Sequence, residues 1–276
     1  MAAIESGQIL AIARKEFRDR IRNRWVLAVA VVFTAFALVI AYFGAAQQGA
    51  VGFTGAAPTL ASLTSLAIYL VPLIALILGY DAVVGERERG SLDLLLSLPL
   101  TRLELLLGKF IGLSAAMAAA TVAGFGAVGL FLSYGLGPQV LWQYAGFIFS
   151  VVLLGEAFLS IAILLSTVAG DKVAASAGAI VLWFVFVLVY DLALLGVLVA
   201  SGDGLAGGFV AALLLLNPAD VFRVFNVFAF EDVKTLYGLA TAMPPALASR
   251  WVLGAAMLAW IAVPLALAAI RFNVKK

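Results

Sequence analysis

The stretch GERERGSLDLLLSLPLTRLELLLGK, residues 85–109, stands between two apolar runs at about 59–84 and 110–134. Each run is long enough to cross a bilayer, because a transmembrane helix needs roughly 20 predominantly apolar residues. The quoted stretch is therefore predicted to connect two membrane spans on one side of the membrane.

Local signals in this connection predict a helix, a sharp stop and a second helix. Ser91 is predicted to cap a short helix with Asp93 in its first turn, and Pro99 is predicted to end that helix. Thr101 and Glu104 match the capping box S/T-x-x-E, so a new helix is expected to run from there into the next span.

The first of these helices is more apolar than a solvated connection needs. Two interpretations follow: the helix is buried along the membrane surface, or it docks into the groove of a partner protein. The leucines concerned are Leu92, Leu94, Leu95, Leu96 and Leu98.

The composition of the whole chain points the same way. Of its 276 residues, 65% are hydrophobic and 12% are charged, with a mean hydropathy of +1.15. Soluble domains have roughly 45–50% apolar and 25% charged residues, so an ordinary soluble enzyme is excluded. The predicted fold class is an all-α, polytopic membrane protein with six transmembrane helices, at about 25–46, 59–84, 110–134, 143–168, 173–200 and 251–270.

The distribution of basic residues predicts the orientation. Fourteen of the 17 Lys and Arg residues fall in the N-terminal segment, in the connections after spans two and four, and in the C-terminal tail. Cytoplasmic connections carry the excess of Lys and Arg in membrane proteins. Both termini are therefore expected in the cytoplasm, with residues 1–24 as a separate N-terminal segment and 25–276 as the transmembrane domain.

The segment 1–24 is predicted to form a basic amphipathic helix. Leu10, Ala13, Phe17, Ile21 and Trp25 recur every three or four residues as an apolar stripe. Basic residues on the remaining surface suit a helix lying on a leaflet with anionic head groups. It is either a simple topogenic anchor or an elbow helix that also braces a cytoplasmic partner. Its basic residues are Arg14, Lys15, Arg18, Arg20, Arg22 and Arg24.

The connection 201–250, between spans five and six, is predicted to contain short helices. Residues 209–216 are apolar but too short to cross, and Asn-Pro follows directly, which favours a re-entrant or surface helix. The next helix either lies in the membrane interface and docks a periplasmic partner or merely caps the bundle. Its apolar residues at nearly helical spacing are Val221, Phe222, Phe225 and Phe228.

Three acidic residues interrupt apolar runs. Asp81 is expected in the interface at the cytoplasmic end of span two, either capping a helix or paired with Arg87 or Arg89. A charged carboxylate deep in a bilayer costs roughly 2.5–3.5 kcal/mol. Glu156 and Asp191 are therefore expected to be protonated, hydrogen-bonded to a neighbouring helix or lining a wet cavity. They are either structural contacts or part of a pathway.

Small residues recur in span three, including the pair Gly108 and Gly112. Such residues let membrane helices approach closely. Packing within the chain is the primary interpretation, and a dimer interface is the alternative.

The chain contains no Cys and no His. Thiol nucleophiles, His acid–base catalysis and Cys/His metal sites are therefore excluded, and an intramembrane enzyme lacks the residues it would need. The sequence also has no G-x-x-x-x-G-K-[ST] phosphate-binding loop.

Several motifs together resemble ABC-2 type transporter permeases. The acid-rich start of 85–109, its leucine cluster and the ending Leu107-Gly108-Lys109 are similar to the connection after span two in that family. With the basic N-terminal helix and six spans, the resemblance covers the full chain. The stretches IARKE, RNRW, LGYDAVVGERERG and NPADVFRVFN further resemble members that serve the maturation of nitrous oxide reductase.

The resemblance implies a homodimer in the lipid bilayer of the bacterial inner membrane. A cytoplasmic ATPase dimer would bind ATP and Mg²⁺, and this chain would bind no cofactor and no nucleic acid. A β-helical protein would contact it in the periplasm, with nitrous oxide reductase and a copper chaperone as indirect partners. The implied ATPase-coupling residues are Glu86, Arg89, Ser91, Asp93, Leu94, Leu95, Pro99 and Arg102, and those of the elbow helix are Arg14, Lys15, Phe17, Arg18, Arg22 and Arg24.

A copper pathway would need ligands that this chain scarcely offers. Cu(I) selects thiolates and thioethers, and beyond the first residue only Met117, Met243 and Met257 supply one. Export of a sulfur species and mechanical transmission with nothing passing through the chain both stay open. A proton-coupled carrier that uses Glu156 and Asp191 is the alternative function.

Overall fold

A computed structural model of the protein describes residues 5–43, 56–201, 207–229 and 249–274. The first half contains α1 (Ser6–Arg22), α2 (Trp25–Phe43), α3 (Ala56–Gly79), α4 (Val84–Glu88), α5 (Ser91–Leu96) and α6 (Arg102–Leu136). The second half contains α7 (Gln139–Val168), α8 (Lys172–Phe184), a π-helical turn (Val185–Val189), α9 (Tyr190–Ser201), α10 (Gly207–Leu215), α11 (Pro218–Ala229) and α12 (Arg250–Val274).

Among the described residues, six helical segments are long and apolar enough to cross a membrane, which agrees with the predicted polytopic helical fold. Span three starts at Arg102 instead of near 110, because the capping box at Thr101 begins the helix ahead of the apolar run. The end of predicted span one, at 44–46, lies outside the described residues. Spans one to six are Trp25–Phe43, Thr59–Glu88, Arg102–Tyr134, Gln139–Val168, Lys172–Ala200 and Arg250–Asn273.

Span four lies at the centre of the bundle, between spans two, three and six. A row of aromatic rings crosses this core, with centroid separations of 5.0 Å for Phe33–Phe125, 5.6 Å for Phe125–Phe147 and 6.4 Å for Phe147–Phe222. Such distances are typical of packed aromatic pairs. The row joins spans one, three and four to α11.

Helices α10 and α11 form a sharply bent pair, here called the re-entrant pair, in which Gly208–Leu215 and Pro218–Asn226 meet at a bend of 114°. Val221 and Phe222 are fully buried in the bundle core. The expectation that this aromatic face lies in the membrane interface or docks a partner is therefore wrong for these two side chains. Phe228's side chain and residues 202–206 and 230–248 lie outside the described part of the chain.

One end of the bundle holds α1, α4, α5 and the connection between α7 and α8. We call it the basic end, because most of the Lys and Arg residues belong to segments that meet there. The re-entrant pair enters from the opposite end.

Candidate coupling site at the basic end

Helix α1 packs on the first turns of α6, where two glycines leave room for it. A Cβ atom added to Gly108 would lie 2.6 Å from the Cβ of Ile12, and one added to Gly112 would lie 2.6 Å from the carbonyl oxygen of Ala13. Cβ atoms do not approach other atoms so closely, so α1 can occupy this position only because both residues are glycine. The pair of small residues in span three thus allows the N-terminal helix to pack closely against it.

The face of α1 that packs on α6 contains Ala13 and Glu16, both buried. Leu10 and Ile21, which belong to the predicted apolar stripe, are each 49% exposed. The helix therefore keeps an exposed apolar edge, as a helix on a membrane surface does. Phe17 is half-buried, and the predicted basic residues Arg14, Lys15, Arg18, Arg22 and Arg24 are exposed.

A buried cluster of Glu16, Glu86 and Lys109, here called the Lys109 cluster, joins α1, α4 and α6. The Nζ of Lys109 donates to Oε1 of Glu16 at 3.0 Å and to Oε1 of Glu86 at 2.6 Å. The side chain of Lys109 is only 4% exposed. Separating any of the three helices would leave a charge exposed or without its partner. Because a buried charge is costly unless it is paired, the cluster holds the three helices together.

The carboxylates of this cluster outnumber its buried cation. Lys15 compensates from the edge, with its Nζ 3.1 Å from Oε1 of Glu16 and 3.5 Å from Oδ2 of Asp19. Burial by itself raises the pKa of Glu16, but Lys109 and Lys15 outweigh it and hold that pKa below its ordinary value. Oε2 of Glu86 has no hydrogen-bond partner among the described residues.

Glu104 ties together the first residues of α1 and α6. The backbone N–H and the hydroxyl of Thr101 both donate to its Oε2 at 2.7 Å, and the backbone N–H of Glu104 donates to the Thr101 hydroxyl at 3.2 Å, which confirms the predicted capping box. The backbone N–H of Glu5, just before α1, donates to the other oxygen at 2.7 Å. One carboxylate therefore satisfies unpaired N–H groups at the starts of two helices.

The segment α4–α5 is also attached to the end of span four. The hydroxyl of Ser166 accepts from the backbone N–H groups of Val83 and Val84 at 2.9 and 3.0 Å. Arg87 donates to the carbonyl of Ala169 at 3.1 Å, and Oε1 of Glu88 accepts from the backbone N–H of Lys172 at 2.7 Å. A displacement of α4 would therefore act on spans four and five as well as on span three.

The expected pairing of Asp81 with Arg87 or Arg89 is wrong. Oδ2 of Asp81 accepts from Lys172 Nζ at 3.2 Å, and its Oδ1 lies 4.0 Å from Nη2 of Arg20. The turn between α3 and α4 places Arg87 beside the last carbonyls of α7, which have no partner within their own helix.

The predicted short helix is α5, but Ser91 does not cap it. Gly90 precedes the helix with φ of 69°, and Ser91 is its first helical residue, donating its hydroxyl to the carbonyl of Glu86 at 3.2 Å. The left-handed backbone at Gly90 favours glycine and turns the chain into the helix. The helix ends at Leu96, ahead of Pro99.

Helix α5 presents an exposed tip formed by Asp93, Leu94, Leu98 and Pro99. Leu94 is 71% exposed and Leu98 is 52% exposed, whereas Leu92 is buried and joins the core. The bundle therefore buries Leu92 and partly buries Leu95 and Leu96, while the other two leucines of the cluster lie at the surface.

Two of the arginines assigned to coupling lie in different surroundings. Arg89 is exposed beside α5. Arg102 is half-buried: its guanidinium donates to the carbonyl of Phe272 at 2.7 Å and lies 5.7 Å from the centroid of the Phe272 ring. Arg102 therefore joins the start of span three to the end of span six.

The two acids deep in the spans have different partners. Glu156 in span four accepts a hydrogen bond from the hydroxyl of Ser114 in span three, so it contacts a neighbouring helix. Asp191 in α9 forms an ion pair with Arg223 in α11, with Nη2 to Oδ2 at 2.6 Å. An ion pair was not among the states expected for Asp191, and it forms because α11 carries Arg223 into the bundle.

The sequence interpretation missed the roles of Glu16 and Ser166. Glu16 is an acidic residue three positions after Ala13, on the face that meets Gly112, and this spacing is a signal that could have revealed it. Nothing local distinguishes Ser166 from other serines in apolar runs, because its partners are more than 80 residues away.

These features define a multi-pass membrane protein. At its basic end, hydrogen bonds and ion pairs join several helices to the short connecting segment α4–α5. Residues 10–276 match the family described as ABC-2 family transporter protein, and the chain belongs to that family. It is accordingly the permease, or membrane subunit, of an ABC transporter, the class of subunit that works with an ATPase subunit.

Two relatives cover almost the whole chain. One, from Pseudomonas aeruginosa, is 45% identical over 267 residues, which are 94% of this chain and 96% of the relative. The other, from Stutzerimonas stutzeri, is 44% identical over 270 residues, 95% of this chain and 96% of the relative. Both are named probable ABC transporter permease protein NosY.

Proposed function

We propose that this permease couples ATP hydrolysis by a separate cytoplasmic ATPase dimer to movement of its membrane spans. The observation that carries the proposal is the attachment of the exposed α5 tip to α1 and α6 through the Lys109 cluster. In this arrangement the basic end faces the cytoplasm, as the excess of Lys and Arg favours. ATP and Mg²⁺ would be bound by the ATPase, and this chain would carry no cofactor.

The tip has the chemistry of a docking element. Leu94 and Leu98 are apolar side chains exposed beyond the end of the span, next to Asp93 and Pro99. A short apolar helix fits a hydrophobic groove on a partner, where its leucines leave water. The ATPase is the partner that this class of subunit requires at its cytoplasmic side.

Movement at the tip has two routes into the membrane. Through the Lys109 cluster it acts on α1 and span three, and through Ser166 and Lys172 it acts on spans four and five. Both routes use hydrogen bonds and ion pairs that break if the helices separate, so the elements move together.

The event served is proposed to be the maturation of the copper centres of nitrous oxide reductase. This rests on the resemblance of IARKE, RNRW, LGYDAVVGERERG and NPADVFRVFN and on the name of the two relatives. The working unit would be a homodimer in the bacterial inner membrane with a periplasmic β-helical partner, and with the reductase and a copper chaperone as indirect partners.

Either export of a sulfur species or mechanical transmission would meet this role. Copper itself is not proposed to pass through the chain. Met117 and Met257 are buried on separate helices, α6 and α12, and their thioethers are the soft ligands that the described residues provide. Met243 lies outside the described residues.

The proposal is tested by changing the tip without changing the bundle. Leu94→Asp should leave the protein folded but abolish copurification with the ATPase, because it places a charge at an apolar contact. Val173→Asp is the matched control, since Val173 is 77% exposed at the same end of the bundle. Normal ATPase binding by Leu94→Asp would refute docking through α5.

The biological role is tested by complementation. A bacterial strain that lacks its own permease of this type, supplied with the present chain and a cognate ATPase subunit, should regain active, copper-loaded nitrous oxide reductase. Reductase that is fully loaded without the permease would refute this role.

A further inference from the structure

The bend between α10 and α11 is held by polar groups from spans five and six. The hydroxyl of Tyr190 donates to the carbonyl of Leu213 at 2.6 Å, and the indole N–H of Trp260 donates to the carbonyl of Leu215 at 3.0 Å. Both carbonyls lie in the last turn of α10, where the regular helical partners run out, and the carbonyl of Leu213 also accepts from the backbone N–H of Leu216 at 3.0 Å. The re-entrant pair is thus fixed by its backbone to both neighbouring spans.

Asn217 joins the bend to the π-helical turn of span five. Its Oδ1 accepts from the backbone N–H of Ala219 at 3.0 Å, which caps α11, while Pro218 occupies the first helical position. Its Nδ2 donates at 2.8 Å to the carbonyl of Phe186, inside the π-helical turn. A π-helical turn shifts the backbone register, and such turns often mark functional positions in helices.

Arg223 makes the strongest link. Its guanidinium donates to Asp191 through Nη2 at 2.6 Å and Nη1 at 3.3 Å, and to Asp220 through Nη1 at 2.5 Å. Asp191 belongs to α9 and Asp220 to α11, so one guanidinium holds span five to the re-entrant helix. A bidentate guanidinium–carboxylate pair fixes orientation as well as distance.

Span five has little apolar packing to hold it in place otherwise. Only 11% of the residues in its 18-residue apolar stretch are buried, compared with 67% for span four. A cavity of about 460 Å³ lies beside it, lined by apolar side chains of spans four, five and six and α10, including Phe186 and Trp260. The polar links therefore largely determine where the opposite-end half of span five lies.

We propose that Arg223, Asp191 and Asn217 are positioning residues that make α11 move together with α9, and that span five hinges at its π-helical turn. The inference rests on the proposed function in one respect: movement that starts at the basic end would be delivered through α11 to the opposite end. None of these residues belongs to the Lys109 cluster or to the α5 tip.

The first test is hydrogen exchange in the purified permease–ATPase complex. Arg223→Met should speed amide exchange in both α9 and α11 by roughly tenfold, because each helix loses the same partner. Ser150→Ala is the matched control: it removes another buried hydrogen bond to α11, Ser150 Oγ to Asn226 at 3.1 Å, without touching span five. Faster exchange in α11 alone would overturn the linkage.

The second test is a double-mutant cycle read by nitrous oxide reductase loading and by ATP hydrolysis. Asp191→Asn and Arg223→Met should each lower loading by roughly tenfold with ATP hydrolysis within about twofold, and the double variant should be no worse than either single one. Asp191→Glu should keep most of the loading. Additive losses, or full loading in both single variants, would overturn the proposal.

The two tests separate this inference from the proposed function. If the unaltered chain fails to support reductase loading, the proposed role is wrong, yet the exchange experiment still decides whether α9 and α11 are linked. If loading is normal and exchange in Arg223→Met is unchanged, the linkage is wrong and the role stands.

Discussion

The two ends of the bundle use the same device with different side chains. At the basic end, Lys109 lies between Glu16 and Glu86, and at the opposite end Arg223 lies between Asp191 and Asp220. In each place one cation serves two carboxylates and links separate helices, although Asp220 lies on the same helix as Arg223. The shared arrangement is one that holds separate helices in a single relative position.

The difference lies in what each device holds. The Lys109 cluster joins three helices and is almost wholly buried, next to an exposed docking tip. The ion-paired group of Arg223, Asp191 and Asp220 joins two helices, α9 and α11. The side chain of Arg223 is 23% exposed, and span five, which contains α9, is poorly packed. In the proposed mechanism, the basic end would be a rigid unit that receives movement from the ATPase, and the opposite end a hinged unit that delivers it.

The largest expected effect is that of Lys109→Met, which leaves two buried glutamates without their cation. Breaking a buried charge pair costs about 3–5 kcal/mol, so we expect a strong loss of unfolding free energy in detergent. The triple variant Glu16→Gln, Glu86→Gln, Lys109→Met removes all the cluster's charges and should recover most of that stability. A triple variant as unstable as Lys109→Met would show that unpaired buried charges do not cause the loss of unfolding free energy.

A smaller effect is expected from Gly112→Ala, which pushes α1 away from α6. The new methyl group would meet the carbonyl of Ala13, and overpacking of this kind costs about 1–3 kcal/mol. Gly126 in the same helix has no atom within 4 Å of an added Cβ, so Gly126→Ala should be neutral or stabilising by up to about 1 kcal/mol. Thermal unfolding of the two variants measures the difference, and equal effects would contradict the close approach of α1.

The pH dependence of stability should reveal whether the Glu16 carboxyl is ionised in the folded protein. Its folded pKa lies below the ordinary 4.5, so its stabilising contribution is complete above that value and is lost as the pH falls through the folded pKa. Glu16→Gln should therefore flatten the acid side of the stability curve. A variant curve parallel to that of the unaltered protein below about pH 5 would contradict an ionised, paired Glu16.

The smallest effect is expected at Glu156, which has a hydroxyl partner and, within the described part of the chain, no cationic one. Glu156→Gln keeps a hydrogen-bonding group for Ser114, so ATP hydrolysis and reductase loading should both stay within about twofold of the unaltered chain. Loss of activity with normal assembly would instead support the proton-coupled carrier.

Much of the fold could be predicted because its signals are local. The apolar runs predicted the six spans, and the spacing of Thr101 and Glu104 predicted the start of span three, since span length and helix capping depend on neighbouring residues. Asn-Pro at 217–218 likewise indicated the bend of the re-entrant pair.

The contacts of the candidate site were less predictable because they are long-range. Glu16 and Lys109 are 93 residues apart, and Asp191 and Arg223 are 32 apart, on helices whose relative rotation no local pattern specifies. For the same reason Asp81 was expected to pair with the nearby Arg87 or Arg89, whereas its partners come from α1 and α8.

In the proposed mechanism, α1, α4 and span three move as one rigid unit. Because the chain has no native Cys, spin labels placed at Arg18→Cys on α1 and Glu88→Cys on α4 would report only these two exposed positions. With labelled subunits diluted among unlabelled ones, the distance between the labels should change by less than about 2 Å between nucleotide-free and ATP-trapped complexes, within the range of ordinary helix shifts. A larger change under ATP trapping would show that the helices move apart and would contradict the account.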